Sequence, residues 1–368
     1  MSRNPSISII VPVFNEQAQL RRAVSSILNQ TFRSFELLLV NDGSTDGSKE
    51  LCDRLADDDM RIRVIHQKHL GKASARNAAL AVARGTYLYF MDGDDWCDKN
   101  MLGAMYQTAA QNNLDMLVTG FTIDSHYDDE GHFYRELRNA PNKIYASRDE
   151  FRNEAYKLFD NQLLYAPWNK LYRREYLITH NLRFPDTTRD DLPFNLAVMR
   201  DVERVGCISG NSYHFTQQDK TKSTEYCSDL YNRREEEHQQ MKKLFDYWGI
   251  HTPAVQEFLA RRYAERLVGC IENITNRNCT LSPEEKKAAI RAMISTPQAR
   301  EALSKTSHQT DGPCAIPFAQ RQCGLNYDAK LCYFMGTSEQ HQLVYALESK
   351  PLKRISKTAK QTDENTLV

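Results

Sequence analysis

Tyr87-Leu88-Tyr89-Phe90-Met91-Asp92-Gly93-Asp94-Asp95 is the stretch whose reading decides the fold of this chain. An apolar run, strand-like in its aromatics and its length, stops abruptly in three carboxylates. Strand side chains alternate faces, so Asp92 and Asp94 can point the same way. Gly93 between them leaves room for another group to approach the backbone. Carboxylates crowded at a strand end repel one another unless a cation sits among them. Hard oxygen ligands of this kind suit Mg²⁺ or Mn²⁺, shared with substrate phosphates. A solvated turn is the plainer reading of Asp-Gly-Asp-Asp taken alone.

The residues upstream favour the site. Ile7-Ser8-Ile9-Ile10-Val11-Pro12-Val13-Phe14-Asn15-Glu16 is a β-branched run closed by a proline and a polar pair. Leu20, Ala23, Val24, Ile27 and Leu28 then recur at helix spacing. A second apolar run, Phe35 to Val40, ends in Asn41-Asp42-Gly43-Ser44-Thr45-Asp46-Gly47-Ser48, and a helix pattern follows through Leu51 and Leu55. A third strand, Ile62 to Ile65, precedes Gly71-Lys72-Ala73-Ser74-Ala75-Arg76-Asn77, a loop running into a helix. Strands alternating with helices predict an α/β fold with a mostly parallel sheet. Polar residues gather at its strand ends, where such sheets bind nucleotides.

In order and spacing, Val11-Pro12-Val13-Phe14-Asn15-Glu16, the Asn41–Ser48 turn, Ala75-Arg76-Asn77 and Met91-Asp92-Gly93-Asp94-Asp95 resemble the nucleotide-sugar half of a family 2 glycosyltransferase. The resemblance is strong over residues 6–105 and moderate to about residue 225. It implies a GT-A fold, Rossmann-like and mixed but mostly parallel, flanked by helices. The expected organisation is a catalytic domain over 1–226, with a nucleotide-sugar half (1–105) and an acceptor half (106–226). A mainly helical accessory region with a basic tail follows over 227–368.

The resemblance also implies roles. Asp42 matches the carboxylate that binds the uracil and ribose side of the donor, although an Asx-turn tying down Gly43 stays open. Pro12, Val13 and Glu16 would line the base pocket. Arg76 and Lys72 would face the nucleotide or its phosphates. Asp92, Gly93 and Asp94 match the Asp-x-Asp motif, with Asp94 the direct metal ligand and Asp92 nearer the ribose. Arg189-Asp190-Asp191-Leu192-Pro193-Phe194-Asn195 stands where the family carries Glu-Asp; it aligns Asp191 with the catalytic base and puts Asp190, one methylene shorter than the family's glutamate, on the acceptor side. Either acid could also cap the helix that follows. Trp168 is read as a sugar platform or a core tryptophan. Lys170 is read as a contact to an anionic acceptor or a surface lysine. Tyr213–Ser223 resembles the mobile loop that closes the site, with His214 reaching the metal or diphosphate and Lys220 and Lys222 as alternatives.

These expectations describe a non-processive, inverting, metal-dependent transferase that uses a nucleotide sugar, most simply a UDP-sugar. The acceptor would be a glycan or lipid-linked acceptor in cell-surface polysaccharide synthesis. A sugar-nucleotide nucleotidyltransferase is one alternative, but the start of the chain lacks that class's glycine-rich loop with an arginine. A non-catalytic scaffold with the same fold is another.

Composition agrees. The chain has 368 residues, above the roughly 250–300 at which single cores stop growing. Lys plus Arg and Asp plus Glu both number 48, a balance that gives no nucleic-acid signature. No apolar run reaches the ~18 residues of a membrane span, and no signal peptide is evident. Nine cysteines without a Cys-x-x-Cys pair suggest reduced thiols and a cytoplasmic location, peripheral to the inner membrane face if the acceptor is lipid-linked. Cys314, Cys323 and Cys332 are evenly spaced but fit no common zinc pattern. Helical stripes through Met241–Trp248 and Val255–Ile271 precede the capping-box pattern Ser282-Pro283-Glu284-Glu285. Segment 303–330 reads as loop-rich. The basic run Lys350, Lys353, Arg354, Lys357 and Lys360 reads as a solvated tail or a contact to anionic lipid.

Overall fold

The structure, a computed structural model, describes residues 4–126, 133–187, 190–217 and 226–306. The first half runs β1 (Ile7–Val13), α1 (Leu20–Leu28), β2 (Phe35–Asp42), α2 (Ser48–Asp58), β3 (Ile62–Gln67), α3 (Lys72–Val82) and β4 (Tyr87–Phe90). Then come β5 (Trp96–Cys97), α4 (Met101–Gln111), β6 (Met116–Thr119), β7 (Phe121–His126), β8 (Phe133–Arg138), β9 (Lys143–Ile144) and α5 (Arg148–Asp160). They are followed by β10 (Lys170–Arg173), α6 (Arg174–Thr179), α7 (Asp191–Asp201), β11 (Val205–Ile208) and β12 (Tyr213–Gln217). Four helices close the described chain: α8 (Leu230–Trp248), α9 (Pro253–Thr275), α10 (Pro283–Ile294) and α11 (Pro297–Thr306).

An eight-stranded sheet, in the order β3-β2-β1-β4-β10-β6-β11-β9, forms the centre. The strands of β1, β2 and β4 are buried along their whole length, as near-continuous apolar runs covered on both faces must be. They pair in parallel, with Val13 opposite Asn41 and Ile10 opposite Phe90. β10 is inserted antiparallel between β4 and β6. A second sheet, β5-β12-β7-β8, stands beside the first. Leu20, Ala23, Val24 and Ile27 are the buried face of α1, and α3 packs on β1 and β2. The expected GT-A arrangement, with its helical C-terminal region, is the one observed.

Ser282 caps α10 as its sequence predicts, with reciprocal bonds to Glu285 and Pro283 in the first turn. The buried side chains of α8 and the start of α9 (Met241, Leu244, Phe245, Val255 and Phe258) join the same core as Val11 and Phe90. Tyr263, Leu267 and Ile274 of α9 form a second cluster with Ile290 of α10 and Ala299 of α11. Residues Tyr213–Gln217, expected in a mobile loop, are instead strand β12, paired with β5 and β7. Lys220, Lys222, the three evenly spaced cysteines, nearly all of segment 303–330 and the basic run lie outside the described residues.

Candidate active site

Parallel pairing puts the carboxyl ends of β1, β2 and β4 on one edge, so Glu16, Asp42 and the Asp92–Asp95 turn open there together. Pro12 and Val13, expected at the base pocket, are buried at the carboxyl end of β1. Glu16, expected at the base pocket, reaches the Asp-Gly-Asp turn instead. A Cβ at Gly93 would fall 1.8 Å from Glu16 Oε2, so only glycine admits this approach.

Arg76 organises the site. It projects from α3 and is wholly buried. Its Nη2 donates to Asp92 Oδ1 at 3.1 Å, and its Nη1 donates to Asp190 Oδ2 at 2.9 Å and to Asp191 Oδ1 at 2.5 Å. The guanidinium also lies 4.8 Å from the Phe184 ring centroid. Lys72 Nζ sits 2.8 Å from the other Asp92 oxygen. Burial works against the Asp92 carboxylate, but Lys72 and Arg76 outweigh it and hold the group below its ordinary range. Burial raises Asp190, and Arg76 offsets part of the rise. Two sequence expectations change here. Arg76 commits both Nη atoms to carboxylates rather than to an open phosphate position. Asp190 stands at the N-cap of α7 but makes no capping hydrogen bond, its carboxylate going to Arg76.

Glu16 and Asp94 are short of positive charge. Burial, then Asp94 and Asp92, push the Glu16 carboxyl up to about 8. Its buried Oε2 has no hydrogen-bond partner. Burial and then Asp92 raise Asp94 as well. Among the described residues no three His, Cys, Asp or Glu side chains converge as a complete metal cage. The oxygen pair does fit an ion that takes one or two carboxylates and completes its shell from phosphates.

The rest of the turn is stitched to the second sheet. Asp95 is fully buried; it accepts from the Tyr213 hydroxyl and, at 2.7 Å, from the Thr216 N–H. Arg22 Nη2 donates to the Asp94 carbonyl at 2.6 Å and to Thr216 Oγ1 at 3.0 Å. Neither contact was read from sequence. The alternation of Tyr213–Gln217 was the signal for the strand, but no local pattern reports Arg22. His214, expected at the metal, is placed elsewhere. Its ring stacks on Trp96 at 3.5 Å, Nδ1 lies 2.9 Å from Asp124 and Nε2 lies 3.6 Å from Asp98.

The Asp42 carboxylate is fully engaged. It accepts from Gln67 Nε2 (2.6 Å), Leu70 N (2.9 Å), Gly71 N (2.9 Å) and His69 Nδ1 (2.8 Å). The His69 ring stacks on Phe14, with centroids 4.0 Å apart. Of the two readings of Trp168 the interior one matches its burial, and Lys170 departs from both of its readings. Trp168 is a buried ring stacked on Tyr213 at 4.6 Å, with Phe121 at its edge. Lys170 is wholly buried and donates to the Leu163 carbonyl (2.7 Å), the Ala166 carbonyl (2.5 Å) and Asn169 Oδ1 (2.8 Å). Burial pulls its ammonium down to about 7.

Comparison with known proteins gives one consistent answer. The family model described as Glycosyl transferase family 2 matches residues 8–180. The Bacillus subtilis glycosyltransferase EpsJ, itself uncharacterized, is 30% identical over 312 residues, 83% of this chain and 88% of EpsJ. The putative glycosyltransferase EpsH of the same bacterium is 32% identical over 183 residues, 49% of this chain and 51% of EpsH. Among solved structures, S. aureus TarS 1-349 has a TM-score of 0.54 at 17% identity, covering 83% of this chain and 92% of that one. That likeness speaks for the fold. TarS 1-349 is also known in complex with UDP-GlcNAc, with a TM-score of 0.53 at 18% identity.

Proposed function

This chain belongs to glycosyl transferase family 2, and from that premise we propose that it transfers a sugar, with inversion, from a UDP-sugar to a hydroxyl of a glycan or lipid-linked acceptor. The observation that carries the reading is the buried Arg76, which joins the donor-side Asp92 to Asp190 and Asp191. One guanidinium thereby sets the distance between a diphosphate site and a base. A UDP donor is supported by the aromatic and carboxylate pair Phe14 and Asp42 at the end of the nucleotide half, and by the UDP-GlcNAc complex of TarS 1-349. Cell-surface polysaccharide as the pathway rests on the resemblance read from the sequence motifs. No helix among the described residues is long and apolar enough to cross a membrane.

The chemistry follows from the two ends of that bridge. The acceptor oxygen bonds to the anomeric carbon as the bond from that carbon to the diphosphate oxygen breaks. The acceptor proton passes to Asp191. The Asp191 side chain is 36% exposed, whereas that of Asp190 is 7% exposed, so Asp191 is the carboxylate an acceptor can reach. General-base help of this kind contributes about 10²–10⁴-fold. Asp94 and Glu16 would hold Mg²⁺ or Mn²⁺, which offsets charge on the departing diphosphate when bound. Lys72 stands at the same turn as a half-exposed cation.

The test is calorimetric titration of UDP, GDP, CDP and dTDP with and without Mn²⁺. Selective, Mn²⁺-dependent UDP binding that disappears in Asp94→Ala supports the donor assignment. Folded protein that binds none of them is not a UDP-sugar transferase. Pyrophosphate rather than nucleoside diphosphate as product would instead identify a nucleotidyltransferase.

A further inference from the structure

The place that this reading gives to the donor's base is filled by the chain itself. Phe14 leaves the end of β1 with its ring 40% exposed. The His69 ring lies flat against it, 4.0 Å between centroids and 19° between planes. The edge of the imidazole points Nδ1 at Asp42, 2.8 Å from Oδ2 and 3.1 Å from the carbonyl oxygen. A planar heterocycle stacked on an aromatic ring, with a ring N–H on a carboxylate, is how a nucleobase would sit between the same two residues. Centroids 4.0 Å apart leave no room for a third ring between them.

The imidazole is not what holds this loop. Leu70 and Gly71 donate their backbone N–H groups to the same carboxylate, each at 2.9 Å. Gly43, at φ +68°, brings its α-carbon so close that a Cβ there would lie 2.6 Å from His69 N. The backbone at residue 69 is therefore fixed from two sides. The side chain is 56% exposed and faces solvent. It can leave Phe14 by rotating about χ1 into another staggered well, with no movement of the loop.

We propose that His69 is a built-in competitor for the donor's base: its imidazole occupies the Phe14–Asp42 seat, and a nucleotide binds by turning it out. This rests on the donor-site reading above. Intrinsic affinity is then reduced by the fraction of molecules in which the seat is empty. A stacked ring and one hydrogen bond together correspond to roughly a tenfold effect.

The experiment is titration of UDP, and separately of inorganic pyrophosphate, into the full chain and its His69→Ala variant in Mg²⁺. UDP should bind about tenfold tighter to the variant, and pyrophosphate, which has no base, should bind both equally. In the wild-type protein, UDP should also shift the His69 ring-proton NMR signals downfield, because they leave the shielding face of Phe14. That readout serves if the variant does not fold. UDP binding that is unchanged or weaker in His69→Ala, or His69 signals that stay put on UDP saturation, overturns the proposal and leaves the donor site standing. If neither protein binds UDP, the donor-site reading falls and the proposal with it.

Discussion

Arg76 and Asp191 meet at 2.5 Å although they are 115 positions apart in the chain. The contact ties α3 to the start of α7 and offsets the charge of a carboxylate that sits beside Asp190. A pair with one partner buried stabilises little compared with apolar packing, yet removing the buried Arg76 is costly because it strands the carboxylates around it.

Arg76→Ala strands three carboxylates, those of Asp92, Asp190 and Asp191. Unfolding in urea should show a loss of about 3–5 kcal/mol. Arg76→Lys keeps the charge but not the fork that reaches both sides, so it should be intermediate. A fully stable Arg76→Ala protein with only a raised donor KM would return Arg76 to the phosphate role.

Asp191→Asn retains the shape and the Arg76 contact but cannot take a proton. Donor affinity by calorimetry should match the wild type, while kcat falls about 10²–10⁴-fold. Collapse of donor affinity with turnover preserved in bound complexes would move the base elsewhere.

Glu16 gives a stability that depends on pH. Its carboxyl titrates near 4.5 when unfolded and near 8 when folded, raised by burial and then by Asp94 and Asp92. The folded state binds the proton more tightly, so this stability is fully present below pH 4.5 and is lost as pH rises through 8. Glu16→Gln should therefore melt with the wild type at pH 4 and above it at pH 8.5, and Mn²⁺ should narrow the gap by stabilising the wild type. Parallel melting curves at both pH values would contradict the charge crowding.

Lys170→Met tests whether this lysine meets an acceptor or holds the fold. The Ala166 carbonyl and Asn169 Oδ1 lose the lysine donor, and the Leu163 carbonyl keeps only Asn169 Nδ2. Stability should fall by about 2–4 kcal/mol, with acceptor KM in the surviving folded protein unchanged. A stable variant with a raised acceptor KM would restore the acceptor role.

The edge of the sheet was legible because it is written locally. Apolar runs ending at Val13, Val40 and Phe90 mark strands, and the polar residues just after them mark the edge. Partner choice was not legible. Glu16 belongs to the motif of β1, but it points at Gly93, 77 positions on, because β1 and β4 are neighbours. Lys170 reads as a surface group and Trp168 as either a platform or a core ring, because side-chain polarity and ring size say nothing of depth. The antiparallel insertion of β10 takes them inside. His214 was read by chemistry alone, and pairing with Trp96 in β5 turned its ring to another cluster. Asp190 had the position of a helix cap, but a buried guanidinium competes better for a carboxylate than an exposed backbone N–H.

The place of β10 in the sheet has a consequence for how the protein is made. β4 carries the Asp-Gly-Asp-Asp turn, and one side of it pairs with β1 while the other waits for residues Lys170–Arg173. As the chain leaves the ribosome, β4 is complete some eighty residues before that neighbour emerges. For that interval β4 presents a bare, apolar strand edge, the kind that recruits other chains. A fragment stopped near residue 105 keeps the edge permanently and should aggregate, whereas one that extends past Arg173 covers it.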